Sequence, residues 1–295
     1  MKHLNLKGIF PPIVTPFRQD EIATQDLASN VKQLQSTGIS GLVVLGSNGE
    51  NVFLSEKEKL QVVQTVIQSA NDTMGIIVGT GCESTRETMH LTNLMAKEGA
   101  HAALVVTPFY YRGKMTQEAI IQHYEKVANQ SRIPILLYNV PKFTGINLDA
   151  TTVSILAKHP QIIGIKDSSG NINQLAQYIN QTPDDFTVLV GTAGALFGAL
   201  ALGCQGGILA LANIAPCECV RLYQNVLQGK WVEAQQIQLR MTPVNGAVTA
   251  QYGISGLKYA MSKRGYHGGS TRSPLLPITP QDRKKIDQIL QKASL

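Results

Sequence analysis

Lys166 has the setting of a nucleophilic amine. It follows an apolar run at residues 162–165 (IIGI), so the walls of a buried strand would surround its side chain. Desolvation disfavours the charged ammonium and favours the neutral amine, which can condense with a carbonyl group to form a Schiff base. A strand-end lysine can equally extend its amine to solvent, and for one lysine taken alone that is the commoner arrangement. The assignment therefore depends on the residues that accompany it.

Two other places carry side chains suited to the same chemistry. Tyr138 ends the apolar run at residues 135–137, and its hydroxyl could carry protons to and from a carbinolamine and an imine. The alternative is an amphipathic core tyrosine with its hydroxyl at the rim. Ser47 and Asn48 stand between two glycines, which let backbone amides approach a ligand closely. Such a turn ahead of a helix suits a carboxylate, although an ordinary strand–helix turn has the same pattern.

The elements that must position these residues alternate along the chain. Short runs rich in Val, Ile and Leu are separated by mixed segments of helical length, which is typical of βαβ units and a parallel sheet. The runs are nearly continuous in apolar residues, as expected of strands covered on both faces. They lie at residues 8–17, 39–46, 74–79, 102–107, 133–139, 162–166, 186–191 and 207–211.

About eight such units in roughly 250 residues predict an α/β fold, a (β/α)8 TIM barrel. We expect the barrel to cover residues 1–228 and a C-terminal helical extension, residues 229–295, to pack on it. An open, doubly wound sheet is the competing architecture. Active sites of parallel barrels form at the carboxyl ends of the strands, where Lys166, Tyr138 and Ser47 fall.

Composition limits the classes of protein. The chain has 295 residues, of which 43% are hydrophobic, enough for a large core. The net charge is +6, but the basic residues are scattered and their longest cluster, residues 283–285, lies in a polar helical tail, so no nucleic-acid partner is expected. The four cysteines have no disulfide-framework spacing, and residues 1–10 contain no long apolar segment. The expected location is cytoplasmic.

The sequence gives no support for a membrane-spanning segment, a metal site or a dinucleotide cofactor. Residues 188–215 carry no charge, but six glycines punctuate them, which favours strand, small-residue helix and second strand over a membrane span. The histidines show no H-E-x-x-H or comparable spacing, so no metal is expected. The segment at residues 79–81 (GTG) lacks the rest of the G-x-G-x-x-G motif, so no dinucleotide cofactor is expected.

Taken together, these segments resemble the pyruvate-dependent aldolase family that includes dihydrodipicolinate synthase and N-acetylneuraminate lyase. The most specific motifs are GSNGE at residues 46–50, YNVP at 138–141 with TG at 144–145, and GIKDS at 164–168. They occur in the family's order at the predicted strand ends, and the resemblance covers essentially the whole chain.

The resemblance implies a class I Schiff-base lyase without a cofactor, acting on pyruvate and a small aldehyde or oxo acid. Lys166 would form the imine and Tyr138 would be its general acid and base. Ser47 would link Tyr138 to Tyr110, which in this family commonly reaches in from a neighbouring subunit of a homotetramer built as a dimer of dimers. The implied substrate-binding residues are Ser47 and Asn48, which would hold the pyruvate carboxylate, together with Gly191 and Leu209.

Details of the motifs favour one activity within the family. Synthases usually carry an arginine for the aldehyde's carboxylate two residues after the proline of YNVP, where this chain has Phe143 beside Lys142. Phenylalanine cannot make the bidentate bonds of arginine. Two threonines are also usual where Ser47 and Asn48 stand. The motifs GSNGE at 46–50, GCEST at 81–85, VVTP at 105–108, YYRG at 110–113 and ALAN at 210–213 look like 4-hydroxy-2-oxoglutarate aldolase.

We therefore expect reversible cleavage of 4-hydroxy-2-oxoglutarate to pyruvate and glyoxylate. Three alternatives stay open. The first is a 4-hydroxy-tetrahydrodipicolinate (dihydrodipicolinate) synthase that condenses pyruvate with aspartate semialdehyde, and the second is another pyruvate-dependent aldolase. The third, from a different class, is a catalytically silent barrel that only binds a ligand.

Overall fold

A computed structural model describes residues 5–295, and eight parallel strands in it form a closed barrel. Each strand pairs with its neighbours in the chain, and β1 pairs with β8 through Gly8 and Gly206. The barrel closes between β1 and β2, where Ile13 N donates to Val43 O over 2.9 Å. The strands are β1 (Gly8–Phe10), β2 (Gly41–Val44), β3 (Gly75–Gly79), β4 (Ala102–Val106), β5 (Ile135–Asn139), β6 (Ile162–Asp167), β7 (Thr187–Val190) and β8 (Gly206–Ile208).

This architecture confirms the predicted (β/α)8 barrel with additional C-terminal helices and excludes the open sheet. A small antiparallel hairpin, Phe17–Arg18 with Glu21–Ile22, follows β1. Besides the four-residue helix Pro141–Thr144 after β5, the helices are α1 (Thr24–Gln35), α2 (Glu56–Ser69), α3 (Thr85–Lys97), α4 (Gln117–Gln130), α5 (Ala150–Leu156), α6 (Ile172–Gln181), α7 (Leu196–Ala201), α8 (Pro216–Leu227), α9 (Trp231–Gly246), α10 (Gly253–Lys263) and α11 (Pro280–Lys292).

The sequences of the strands are continuous apolar runs because apolar side chains pack in two layers, one inside the barrel and one between the strands and the helices. Successive side chains of a strand point to opposite faces. In β5, Leu136 and Tyr138 belong to the cluster inside the barrel, whereas Ile135 and Leu137 belong to the outer cluster that the strands share with the helices. Because both faces are covered, neither layer needs polar residues, and polar side chains collect at the strand ends.

The uncharged segment at residues 188–215 folds as predicted. It forms β7, the short helix α7 and β8 within the barrel wall. None of the helices in residues 5–295 has both the length and the apolar character needed to cross a membrane. Residues 1–4, which begin the N-terminal segment without a long apolar run, lie outside the described part of the chain.

The C-terminal helices are tied to the loops at the top of the barrel. Gln238 of α9 is buried, its Nε2 donates to Ala193 O over 2.9 Å, and its Oε1 accepts from Phe197 N over 3.0 Å. These bonds fix the turn that follows β7. The proposed boundary at residue 228 falls between α8 and α9, and the division of the chain into two domains there stays a prediction.

Candidate active site

Lys166 and Tyr138 are paired residues on adjacent strands. They lie opposite each other in the register of β5 and β6, and Lys166 is only 4% exposed. Its Nζ atom is 4.2 Å from the centroid of the Tyr138 ring. Within residues 5–295, no carboxylate forms an ion pair with Lys166 Nζ. The structure thus places a buried amine without a counter-charge beside a tyrosine, as a carbonyl-condensing lysine requires.

The Tyr138 hydroxyl connects this pair to the turn after β2. Ser47 Oγ and Tyr138 OH are 3.4 Å apart, and either one could be the donor. This is a long hydrogen bond, as catalytic contacts often are in structures without substrate. The two hydroxyls form a short path along which a proton can move between the Lys166 side and the outer part of the site.

Backbone amides at the predicted carboxylate site are unused. Residues Ser47–Gly49 form a 3-10 turn in which the amides of Gly49 and Glu50 donate to carbonyl groups of the turn. In the described chain, no backbone bond uses the amides of Ser47 and Asn48. The Asn48 side chain is directed back to Pro12 O, at 3.4 Å, so its candidate contribution is its amide. Two adjacent free amides and the Ser47 hydroxyl suit a carboxylate.

Gly191 lies where no larger residue fits. Its amide donates to Asp167 O over 2.6 Å, which holds the end of β7 against β6. A Cβ atom at this position would lie 1.9 Å from Ser168 Oγ. A glycine here lets the chain pass close to the residues that follow Lys166.

Leu209 is not brought to the site. It is fully buried in the outer cluster between strands and helices, whereas the preceding residue, Ile208, belongs to the inner cluster together with Tyr138. The alternation of side chains along β8 explains this difference of one residue. The apolar run there gives no sign of which residues face inward, so the sequence did not reveal the register.

Tyr110 projects from the loop after β4. The amides of Phe109 and Tyr110 both donate to Glu83 Oε2, over 2.9 and 2.8 Å, and this carboxylate fixes the loop. The Tyr110 side chain is 74% exposed. With Ser47 and Tyr138 it lines a cavity of about 550 Å³.

Phe143 lines the same cavity and is 58% exposed. The Nζ atom of its neighbour Lys142 lies 5.8 Å from the centroid of the Phe143 ring and 3.4 Å from Thr249 O in the segment after α9. A second cation approaches the end of this segment, because a Cβ atom at Gly145 would lie 2.5 Å from Arg112 Nη1. Arg112 was not a sequence candidate, since it lies 31 positions before Phe143 and only the fold brings the two segments together.

A buried network behind Lys166 was also not anticipated. Asp167 is fully buried and accepts hydrogen bonds from Asn139 Nδ2, at 2.6 Å, and from Gln174 Nε2, at 3.2 Å. Burial raises the pKa of Asp167, and hydrogen bonds from Ser169 and these amides oppose that rise. The network ties the ends of β5 and β6 to α6 and so fixes the strands that carry Tyr138 and Lys166. The only sequence signal was the position of Asn139 and Asp167, each directly after a candidate residue.

A parallel barrel whose strand ends hold an unpaired buried lysine against a tyrosine and a serine has the architecture of a Schiff-base lyase. This defines the class, a class I pyruvate-dependent aldolase on a (β/α)8 barrel. The chain belongs to the dihydrodipicolinate synthetase family, whose model matches residues 5–293. The family resemblance and the enzyme class predicted from the sequence are thereby confirmed.

Similar proteins cover almost the entire chain. The 4-hydroxy-tetrahydrodipicolinate synthase of Methanothrix thermoacetophila is 37% identical over 98% of this chain and 97% of its own. The synthase of Archaeoglobus fulgidus is 34% identical over 98% of this chain and 99% of its own. Among solved structures, a chloride-inhibited dihydrodipicolinate synthase from Acinetobacter baumannii, complexed with pyruvate, is 32% identical with a TM-score of 0.94, covering 98% of this chain and 99% of that chain.

These comparisons contradict the predicted 4-hydroxy-2-oxoglutarate aldolase. Relatives at 33–37% identity over nearly the full chain are named 4-hydroxy-tetrahydrodipicolinate synthase, which was the alternative. The prediction relied on Phe143, on Ser47 with Asn48 in place of threonines, and on short motifs similar to those of the aldolase. Phe143 is an exposed residue of the short helix Pro141–Thr144, and the carboxylate turn offers backbone amides, so neither substitution excludes synthase chemistry.

Proposed function

We propose that this chain condenses pyruvate, held as an imine on Lys166, with aspartate semialdehyde. The observation that carries the proposal is the Lys166–Tyr138–Ser47 arrangement, which combines an unpaired buried amine, a proton path and free amides for a carboxylate. The names of the relatives support the choice of aldehyde.

The proposed first half-reaction forms the imine. Lys166 Nζ attacks the C2 carbonyl of pyruvate, and the carbinolamine loses water when Tyr138 OH gives a proton to the departing hydroxyl. The Ser47 hydroxyl and the amides of Ser47 and Asn48 hold the pyruvate carboxylate, which sets the carbonyl in front of the amine. The protonated imine is an electron sink, so the methyl carbon can lose a proton to give an enamine.

The second half-reaction joins the two substrates. The Tyr138 tyrosinate, left after dehydration, takes the proton that the methyl carbon loses. The enamine carbon then attacks the aldehyde carbon, and Tyr138 OH gives this proton to the new alkoxide. The amine of the adduct then attacks the imine carbon, closes a ring and expels Lys166 as the free amine. Arg112, which approaches Gly145 at the end of the Phe143 helix, is the proposed partner of the aldehyde's carboxylate.

We also propose that the active form is a homotetramer in which Tyr110 completes the site of a neighbouring copy. Tyr110 and Val52 line the same cavity and are 74% and 72% exposed. Exposed apolar side chains grouped at a functional cavity favour a covering partner. The proposed location is cytoplasmic, where the four free cysteines would stay reduced.

Steady-state turnover of pyruvate with aspartate semialdehyde tests this function. Mass spectrometry should show a cyclic product that requires both substrates. Arg112→Ala should raise the KM for aspartate semialdehyde by about 10- to 100-fold, as loss of a charge-assisted hydrogen bond predicts, and should leave the KM for pyruvate unchanged. If the rate of pyruvate consumption does not depend on aspartate semialdehyde, that aldehyde is not the second substrate. If Arg112→Ala changes both KM values equally, Arg112 is not the partner of the aldehyde's carboxylate.

A further inference from the structure

A buried ion pair links the C-terminal helices to the carboxylate-binding turn. Lys258 of α10 is 2% exposed and Glu50, which ends the turn, is 1% exposed. Lys258 Nζ pairs with Glu50 Oε1. It also donates to the carbonyl oxygens of Thr15, at 2.8 Å, and Ser270, at 2.6 Å. The ammonium therefore has one ion pair and two hydrogen bonds, and the three oxygen atoms lie on different segments of the chain.

The turn that this pair reaches has an unfavourable backbone conformation. Glu50 has φ +54° and Leu45, which precedes the turn, has φ +57°. Residues other than glycine adopt positive φ at an energetic cost and keep it only where surrounding contacts hold it. Glu50 is held from two sides, because its Oε2 also accepts from Arg272 N over 2.9 Å. Thr15, whose carbonyl receives Lys258, donates through Oγ1 to Gly49 O over 2.7 Å.

Packing alone does not account for a charged pair at this place. Charged groups lose hydration on burial, and an apolar pair of similar volume is often no less stable. Burial lowers the pKa of Lys258, and the carboxylate of Glu50 counteracts that change. A charged pair adds a defined geometry, because the ammonium fixes the positions of the Glu50 carboxylate and the Thr15 carbonyl relative to each other.

We propose that Lys258 is a positioning residue for the pyruvate site, holding the Ser47–Glu50 turn so that the amides of Ser47 and Asn48 face the substrate carboxylate. The inference rests on the proposed function, because it concerns the same carboxylate. Lys258 touches no reacting atom and acts through Glu50. Lys166 and Tyr138 stand on barrel strands whose ends the Asp167 network fixes, and only the Tyr138 hydroxyl reaches the turn, so loss of Lys258 weakens pyruvate binding more than it slows the chemical steps.

Borohydride trapping of the pyruvate imine measures this effect. The full-length protein is incubated with increasing pyruvate, reduced, and analysed for the fraction of chain modified, at a temperature well below unfolding. Lys258→Met removes the charge and keeps most of the side-chain volume. The expected result is a rise of about tenfold in the half-saturating pyruvate concentration, with a smaller change in the fraction trapped at saturation.

Tyr259→Phe is the matched control. Tyr259 is the next residue on the same helix, and its hydroxyl donates to Asp287 Oδ1 of α11 over 3.0 Å, so the variant perturbs the C-terminal packing without touching the turn. Its half-saturating pyruvate concentration should equal that of the wild type. If both variants only lower thermal stability and leave half-saturation unchanged, Lys258 has a purely structural role and the inference is overturned.

Two further outcomes are decisive. If Lys258→Met does not fold, Glu50→Gln takes its place, and it must raise the half-saturating pyruvate concentration, since its neutral amide holds the ammonium less firmly. An unchanged value in that variant overturns the inference. If pyruvate and borohydride do not modify the wild type, the proposed function fails and this inference fails with it. If the wild type is modified and the variants have the same half-saturating pyruvate concentration, only the inference fails.

Discussion

Lys166 and Tyr138 are the two site residues that the sequence alone predicted to act together. Both end apolar runs, and the structure places them opposite each other on adjacent strands with Nζ 4.2 Å from the ring centroid. Their meeting with Ser47 was predictable because carboxyl ends of parallel strands share one end of a barrel. Contacts that depend on packing between distant segments, such as Arg112 against Gly145, carry no local signal and were not predicted.

Tyr138→Phe separates proton transfer from packing at the residue scale. Phenylalanine keeps the ring in the inner cluster and loses only the hydroxyl that lies 3.4 Å from Ser47 Oγ. We expect kcat for the condensation to fall by about 10²- to 10⁴-fold, the usual contribution of a general acid and base. Steady-state kinetics and a thermal melt measure the two effects.

Tyr124→Phe controls for the loss of a buried tyrosine hydroxyl. Tyr124 belongs to the outer cluster, and its OH donates to Val105 O over 2.9 Å. It meets Tyr138 only at that residue's backbone, so the variant leaves the Tyr138 hydroxyl in place. This variant should lose stability and keep kcat. A Tyr138→Phe enzyme with an unchanged kcat would reduce Tyr138 to a structural role.

At the scale of elements, the sequence pattern predicted the strands and helices but not the contacts that hold them together. The continuous apolar runs predicted the eight barrel strands, yet they gave no inward and outward alternation, and Leu209 was chosen where Ile208 faces the interior. Lys258 stands between Leu257 and Tyr259 on α10, and a helical lysine commonly extends its amine to solvent. Only the fold shows that it is 2% exposed beneath the turn after β2.

Acid should loosen the link between the C-terminal segment and α2. Hydrogen bonding to Arg272 lowers the pKa of Glu58 from 4.5 to about 2 against the opposing effect of burial. Since the folded pKa lies below the unfolded one, the stabilisation is present above pH 4.5 and is lost as pH falls toward 2. Urea unfolding of the wild type should therefore show a free energy of unfolding that decreases across this range.

Glu58→Gln is the variant that isolates this titration. It keeps the shape of the side chain and removes the charge opposite Arg272, whose Nη2 lies 2.7 Å from Glu58 Oε1. The free energy of unfolding of the variant should decrease less steeply than that of the wild type between pH 4.5 and about 2. Equal slopes for the two proteins would show that other carboxylates control acid unfolding.

For the molecule as a whole, the fold was predictable and the particular substrate was not. Eight strand–helix units determine a barrel with a site at one end, but the choice of aldehyde depends on a few loop residues. Phe143 and several short motifs suggested 4-hydroxy-2-oxoglutarate, and the relatives named as synthases contradict that choice. One exposed side chain is weak evidence because an adjacent segment can supply the missing cation.

The proposal that Tyr110 completes the site of a neighbouring copy predicts complementation between two defective proteins. In a mixture of Lys166→Ala and Tyr110→Phe chains, a mixed pair contains one site with the native lysine from one copy and the native tyrosine from the other. Unfolding and refolding the two together should restore activity above the sum of the separate variants, toward about a quarter of the wild-type sites in random pairs. Activity that never exceeds that sum would place Tyr110 in the site of its own chain.

The most direct test of the central claim is to locate the carbon–nitrogen bond. Wild-type protein and the Lys166→Ala variant are reduced with borohydride in the presence of pyruvate, digested, and mapped by mass spectrometry. A Schiff-base lyase built on Lys166 predicts one reduced pyruvate adduct, on the peptide that carries Lys166, and none in the variant. An adduct on another lysine, or an adduct that persists in Lys166→Ala, would contradict the account.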